Sequence, residues 1–291
     1  MIVAGRTDNR MMERMFKKIV IIGLGLMGGS LAAACRKKFP KARIIGISRS
    51  REALALAKKK KWVHETTRDV SLGARGADLV VLCTPVDTFL PYLKAIDKVC
   101  AKGALVMDVG SVKVSVLKQA GSRHWKNLSF VGCHPMVGSH KRGVQAVNPV
   151  LYQGGLVLLT PDRKTCPSSY QRAKKFWQGF TSRIVELTPK VHDRLVGEVS
   201  HLPHAIAACL VRTVSAPALQ VASTGFYDTT RIAAAASSIW QPIFSANRKV
   251  MFGVLSRFER ELRTFKKLLQ DRDPKKLIRF LDQAQRKRKA L

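Results

Sequence analysis

Three short stretches carry side chains that could move protons. In Gly132-Cys133-His134-Pro135-Met136 a histidine follows a short apolar run that reads as a buried strand. Imidazole is the side chain best poised to accept a proton near neutral pH. A lone histidine is more often a structural residue, so its company decides. Asp108-Val-Gly-Ser111-Val-Lys113 ends the preceding apolar run and offers a hydroxyl, and Ser200-His201-Leu-Pro-His204 brings two further imidazoles. A base, a hydroxyl and two further imidazoles suit proton transfer beside a bound acceptor of hydride.

The element that would supply that acceptor lies near the start. Ile19 to Ile22 is a β-branched run, Gly23, Gly25 and Gly28 spell G-x-G-x-x-G, and Leu31-Ala-Ala-Ala-Cys35 continues as a helix former. Strand, glycine turn and helix are the context of a dinucleotide site. Gly23 serves the tight turn, Gly25 the approach of a pyrophosphate and Gly28 the packing of helix on strand. Leu26 and Met27 open the helix, whose free N–H groups face the phosphates.

From Phe16 to about Leu187 strand and helix patterns alternate, which predicts an α/β fold, a doubly wound, mostly parallel, Rossmann-like sheet. Ligands of such sheets bind beyond the carboxyl ends of the strands. That rule gathers Gly23–Gly28, Ser48–Arg51, Thr84–Asp87, Asp108–Ser111 and Gly132–Gly138 on one rim, with Thr84, Pro85 and Asp108 as further cofactor residues. From Lys190 onward only helical patterns remain: Val191 to Val214, Thr229 to Ser237, Trp240 to Gln270 and Pro274 to Lys289. The expected organisation is a loose extension over 1–15, with Met11, Met12 or Met15 as alternative starts, a dinucleotide-binding domain over 16–188 and an all-helical substrate and dimerisation domain over 189–291. The helical half is apolar enough to predict a homodimer.

Dinucleotide folds that take NAD place a carboxylate after the second strand, on the ribose hydroxyls. Here that position reads Ser48-Arg49-Ser50-Arg51, with no acidic residue before Glu52. Hydroxyls and arginines suit a 2′-phosphate, so NADP is expected over NAD.

Composition narrows the class. The 291 residues are 46% hydrophobic, and no apolar run nears the roughly 18 residues of a membrane span. No leader-like apolar segment opens the chain. Most of the six cysteines, among them Cys35, Cys83 and Cys133, sit in apolar surroundings and read as core residues; without C-x-x-C spacing they predict a reducing cytoplasm and no metal site. Lys and Arg number 52 against 19 Asp and Glu, a net charge of +33. The excess is spread along the chain without an aromatic-interleaved basic patch, so a solvated basic surface is expected rather than nucleic-acid binding. Such a surface draws anionic substrates.

Taken in order, Gly-Leu-Gly-Leu-Met-Gly-Gly-Ser (23–30), Asp-Val-Gly-Ser-Val-Lys (108–113), Gly-Cys-His-Pro-Met (132–136), Ser-His-Leu-Pro-His (200–204) and Gly-Phe-Tyr-Asp-Thr-Thr-Arg-Ile-Ala (225–233) resemble the prephenate/arogenate dehydrogenases of tyrosine biosynthesis. The resemblance covers about 18–240 and implies oxidative decarboxylation of prephenate or arogenate. It implies that His134 is the catalytic histidine, that Ser111 orients the C4 hydroxyl, that Arg231 binds a substrate carboxylate, and that His201 and His204 line the pocket. Asp228-Thr-Thr230 reads as a helix cap that would fix Arg231. Many relatives continue the His-Pro motif with Gly-Thr-Glu; this chain has Gly138-Ser139-His140-Lys141, which puts any carboxylate contact at that loop in doubt. His204 resembles prephenate-type members, whereas Ser48-Arg49 resembles NADP-using, often arogenate-type ones. Two rival readings stay open: a dehydrogenase of small β-hydroxy acids, which share the Gly-x-Gly-x-Met-Gly start, and a non-catalytic polyanion-binding Rossmann protein.

Overall fold

A computed structural model describes residues 15–138 and 143–291. The extension expected over 1–15, Met15 excepted, and the Ser139-His140-Lys141 departure lie outside the described residues. The first half alternates β1 (Lys18–Ile22), α1 (Leu26–Lys38), β2 (Arg43–Ile47), α2 (Arg51–Lys59), β3 (Glu65–Thr67), α3 (Val70–Ala74), β4 (Leu79–Leu82), α4 (Phe89–Asp97), β5 (Ala104–Asp108), α5 (Val114–Ala120), β6 (Leu128–Met136), β7 (Leu156–Thr160), α6 (Pro167–Gln178) and β8 (Arg183–Glu186). The second half is α7 (Pro189–Val196), α8 (Leu202–Thr213), α9 (Ala216–Leu219), α10 (Thr224–Thr230), α11 (Ser237–Ala246), α12 (Arg248–Asp271) and α13 (Pro274–Lys289).

The strands form an eight-stranded sheet in the order β3-β2-β1-β4-β5-β6-β7-β8. Every neighbouring pair is parallel except β6 and β7. β1 lies centrally, and its residues alternate between two cores. Ile19 and Ile21 join Leu31, Phe39, Phe176 and Trp177 on one face; Val20 and Ile22 join Val80, Leu82, Phe89 and Leu93 on the other. This is why β1 is apolar at every buried position: helices cover both faces. Ile243 of α11 packs into the second cluster, which anchors the helical half against the sheet.

The structure corrects the sequence expectations at five places. β3 and α3 were not expected, because Glu65-Thr66-Thr67 is a polar edge strand with no apolar alternation to announce it. β6 runs past Gly132 to Met136, so His134 is a strand residue rather than a loop residue. β5 pairs with β6 only as far as Val131, after which β6 pairs with β7 alone. Pro135 therefore falls where the strand has lost one neighbour, and its missing N–H is tolerated. The helix expected over Val191–Val214 is interrupted by a wide π turn at Gly197–His201, and the one expected over Trp240–Gln270 breaks at Asn247. Finally, Asp228-Thr-Thr230 does not cap a helix that begins at Arg231. It ends α10, with the Thr229 and Thr230 hydroxyls donating to the carbonyls of Gly225 and Phe226.

Candidate active site

The glycine turn has the geometry its spacing predicts. Gly23 has φ +98°, a conformation that side chains rarely adopt. A Cβ on Gly28 would fall on the Gly23 carbonyl oxygen, so helix and turn meet at backbone distance. A Cβ on Gly25 would meet nothing within 4 Å. No side chain caps α1, which leaves its first N–H groups to a ligand. Tyr152 donates to the Met27 carbonyl at 2.8 Å and braces that first turn from behind.

Beside the turn a cavity of about 290 Å³ is lined by Gly23, Gly25, Ser48, Arg49, Ser50, Thr84, Pro85 and also Arg68. Arg68 follows β3, the strand that sequence reading missed, and was missed with it. The Ser48 hydroxyl accepts from the Ser50 N–H at 3.2 Å, and Ser50 caps α2 by accepting from the Ala53 N–H. Arg49 and Arg68 are both exposed. A larger hollow of about 460 Å³, between Lys18, Arg43, Lys58 and Arg75, lies at the opposite, amino-terminal end of the strands. None of the predicted site residues lines it.

Around His134 the arrangement is different. The residue is 7% exposed, and its Nδ1 lies 2.9 Å from Nε2 of His192. Nδ1 of His192 lies 2.8 Å from Oδ1 of Asp193, and both residues are buried on α7. Asp193 also accepts the N–H groups of Lys113 at 2.7 Å and Val114 at 2.9 Å, so it closes the amino end of α5. Asn247, in the break between α11 and α12, donates to the Asp193 carbonyl and lies 3.1 Å from Nδ1 of His201. Burial, reinforced by His192, Lys113 and His201, holds the His134 pKa well below the usual imidazole range. His192 is lowered by burial as well, against the pull of Asp193. Burial pushes the Asp193 carboxyl up, but the hydrogen bonds from His192, Val114 and Lys113 outweigh it and bring it below its ordinary value.

Asp108 does not line the cofactor cleft as expected. It is fully buried, ion-paired with the equally buried Lys113, and accepts the N–H groups of Cys133 and Gly110. Its work is to tie the end of β5 to β6 and to hold Lys113. Ser111 lies half-buried on the same turn, between Asp108 and Lys113. His201 is buried at the end of the π turn, and burial brings its pKa down to about 4. His204 is buried and stacks on Trp240 with ring centroids 3.6 Å apart. Arg231 is exposed, at the first position of a short 3₁₀ turn after α10. His134 and His201 thus share one buried network; Arg231 lies on the surface of the helical half. His192, Asp193 and Asn247 escaped sequence reading. The one available signal was a His-Asp pair where an amphipathic helix should bury apolar residues.

With this geometry in view, comparison with known proteins is decisive. The family model described as the prephenate dehydrogenase nucleotide-binding domain matches residues 31–186, and the one described as the prephenate dehydrogenase dimerization domain matches 188–283. The chain is 33% identical to the prephenate dehydrogenase of Bacillus subtilis over 94% of its own length and 76% of the relative's. It is 31% identical to the cyclohexadienyl dehydrogenase of Zymomonas mobilis, covering 95% of this chain and 96% of that one. Among solved structures, prephenate dehydrogenase of Aquifex aeolicus in complex with hydroxyphenyl propionate and NAD+ superposes with a TM-score of 0.85 at 31% identity, over 94% of this chain and 98% of that one. A glycine turn of dinucleotide geometry, a buried imidazole network on the same rim and a helical second half all agree with these matches, and the chain belongs to the prephenate dehydrogenase family.

Proposed function

We propose that this enzyme oxidises and decarboxylates prephenate to 4-hydroxyphenylpyruvate, in tyrosine biosynthesis, with NADP as its preferred cofactor. The observation that carries the reading is His134: an imidazole held unprotonated by burial, on a strand that overruns the cofactor rim. The residues present fit a dinucleotide. Gly28 brings helix and turn to backbone distance, and the uncapped start of α1 has N–H groups for a pyrophosphate. Bound nicotinamide supplies the hydride acceptor.

The chain's own residues do the rest. His134 accepts the C4 hydroxyl proton as the hydride leaves C4. The C1–carboxylate bond breaks, its electron pair makes the ring aromatic, carbon dioxide departs, and His134 returns the proton to the phenol oxygen. No net proton is released, so a base that holds one briefly is sufficient. Ser111 orients the hydroxyl, His201 and His204 line the ring pocket, and Arg231 binds a carboxylate through its planar fork.

The preference for NADP rests on Arg49 and Arg68 beside Ser48, with no carboxylate at the end of β2. An acidic residue there would repel a 2′-phosphate; two guanidinium groups attract it. Assembly as a homodimer through the helical half is supported by exposed apolar side chains there, among them Val199, Tyr227, Ile239 and Phe252. Light scattering is expected to give twice the mass of one chain. Among the described residues no helix is long and apolar enough to cross a membrane.

One assay tests the reading: prephenate and arogenate, each with NADP and with NAD. Turnover is expected to be fastest with prephenate and NADP. Faster arogenate turnover would overturn the substrate half of the reading, faster NAD reduction the cofactor half, and no turnover in any combination the whole of it.

A further inference from the structure

The hydrogen bonds around His134 determine more than its position, because one member of the chain can only accept. Asp193 takes three N–H groups: Lys113 N–H and His192 Nδ1 on Oδ1, and Val114 N–H on Oδ2. A carboxylate so placed has no proton to give, so Nδ1 of His192 carries a hydrogen. A neutral imidazole with a hydrogen on Nδ1 has its lone pair on Nε2. That lone pair lies 2.9 Å from Nδ1 of His134, which must therefore be the donor. The remaining nitrogen of His134, Nε2, is then left with its lone pair.

We propose that Asp193, acting through His192, fixes the tautomer of His134 so that Nε2 is the proton acceptor in the reaction. The proposal rests on His134 being the base, as argued above. Asp193 and His192 are positioning residues: neither needs to touch substrate. Once Nε2 has taken the proton, the imidazolium donates from Nδ1 to His192, whose own Nδ1–H stays on the Asp193 carboxylate. The developing charge is stabilised along a prebuilt line of hydrogen bonds, with no need for Asp193 to become protonated.

This tautomer of His134 requires a neutral His192. A doubly protonated His192 would donate from Nε2, force Nδ1 of His134 to accept, and turn Nε2 of His134 into a donor. The charged and titratable groups facing the pair are Lys113 from the turn before α5, Asp108 from β5, Asp193 from α7 and His201 from the π turn. Lys113 and burial oppose a second proton on His192, and His201 is itself neutral near pH 7. Asp193 and, less strongly, Asp108 favour it, but the charge of Asp193 is already shared among three donors and Asp108 is paired with Lys113.

Two measurements decide the matter. Long-range proton–nitrogen spectra of the whole enzyme, labelled with ¹⁵N-histidine and assigned through His134→Asn and His192→Gln, report the tautomers directly near pH 7.5. Nδ1 of both His134 and His192 is expected to be protonated and both Nε2 atoms bare. A hydrogen on Nε2 of His134 would overturn the proposal, whatever the enzyme's activity. The second measurement is kinetic. His192→Leu removes the acceptor, and kcat is expected to fall about 10²-fold with KM nearly unchanged. His192→Gln restores an acceptor oxygen and is expected to recover most of that loss. Equal losses in Leu and Gln, in proteins with unchanged cofactor affinity, would sink the relay. A His134→Asn enzyme with normal turnover, beside the expected tautomers, would instead count against His134 as the base.

Discussion

The cofactor rim and the imidazole cluster are built on opposite plans. At the rim the working parts are main chain: a glycine in a left-handed conformation, a second glycine pressed on a carbonyl oxygen, and an uncapped helix start. All of them lie within six consecutive residues, Gly23 to Gly28. In the cluster the working parts are side chains drawn from β6, α7, the π turn and the break before α12, and nearly all are buried. The contrast teaches where each site is vulnerable. A main-chain cradle tolerates changes in its neighbours but not an added methyl. A buried side-chain network tolerates no loss of a member, because each lost partner leaves a polar group unsatisfied away from water.

The largest effect that would test this contrast is on turnover. His134→Asn is expected to lower kcat by ~10²–10⁴-fold, the usual cost of losing a general base, while cofactor affinity measured by fluorescence titration stays as it was. Weakened cofactor binding would show that the two regions are not separable. Next comes stability. Lys113→Met leaves Asp108 in the core without its counter-ion, at a cost of about 3–5 kcal/mol, seen as a drop of ~10 °C in Tm. A change of a degree or two would mean that water reaches the carboxylate.

Acid should act on the cluster and spare the rim. His134, His192, His201 and His204 all have folded pKa values below that of a free imidazole. The unfolded chain therefore binds more protons, and stability is lost as pH falls below about 6.5; the contribution of His201 is exhausted near its folded pKa of about 4. Calorimetry is expected to show Tm falling through that window. The acid limb of kcat should also lie below the ordinary imidazole range, since His134, the proposed base, remains unprotonated there. A limb at or above pH 6.5 would contradict the burial of His134. The smallest effect belongs to the rim. Arg49→Ala and Arg68→Ala are each expected to raise KM for NADP about tenfold or less and to leave KM for NAD unchanged, as suits exposed charges. Equal effects on both cofactors would remove the case for a 2′-phosphate contact.

Much of this could be read before any fold was known. The alternation of strand and helix, the glycine turn and the rim rule placed Gly23, Thr84, Ser111 and His134 at one end of one sheet. Those signals are local, a matter of backbone sterics and of which residues suit a strand covered on both faces. Reading failed where the determinant was not local. Nothing in Glu65-Thr66-Thr67 announces a strand, because an edge strand needs no apolar face; Arg68 was lost with it. Asp108 looked like a rim residue until Lys113 was found folded back upon it. His192 and Asp193 went unremarked, because a helical pattern from Val191 does not say which of its polar residues are buried.

What the sequence alone determined is therefore the plan: a doubly wound sheet with a helical second half, a dinucleotide turn, and a histidine at the sheet's carboxyl rim. Local sterics and side-chain periodicity are sufficient for that, since neither depends on distant partners. Only the tertiary structure decided which nitrogen of His134 keeps its lone pair. That choice depends on a carboxylate 59 positions further along the chain. A hydrogen-bond direction is settled by the last acceptor in the line, and folding alone brings that acceptor into place.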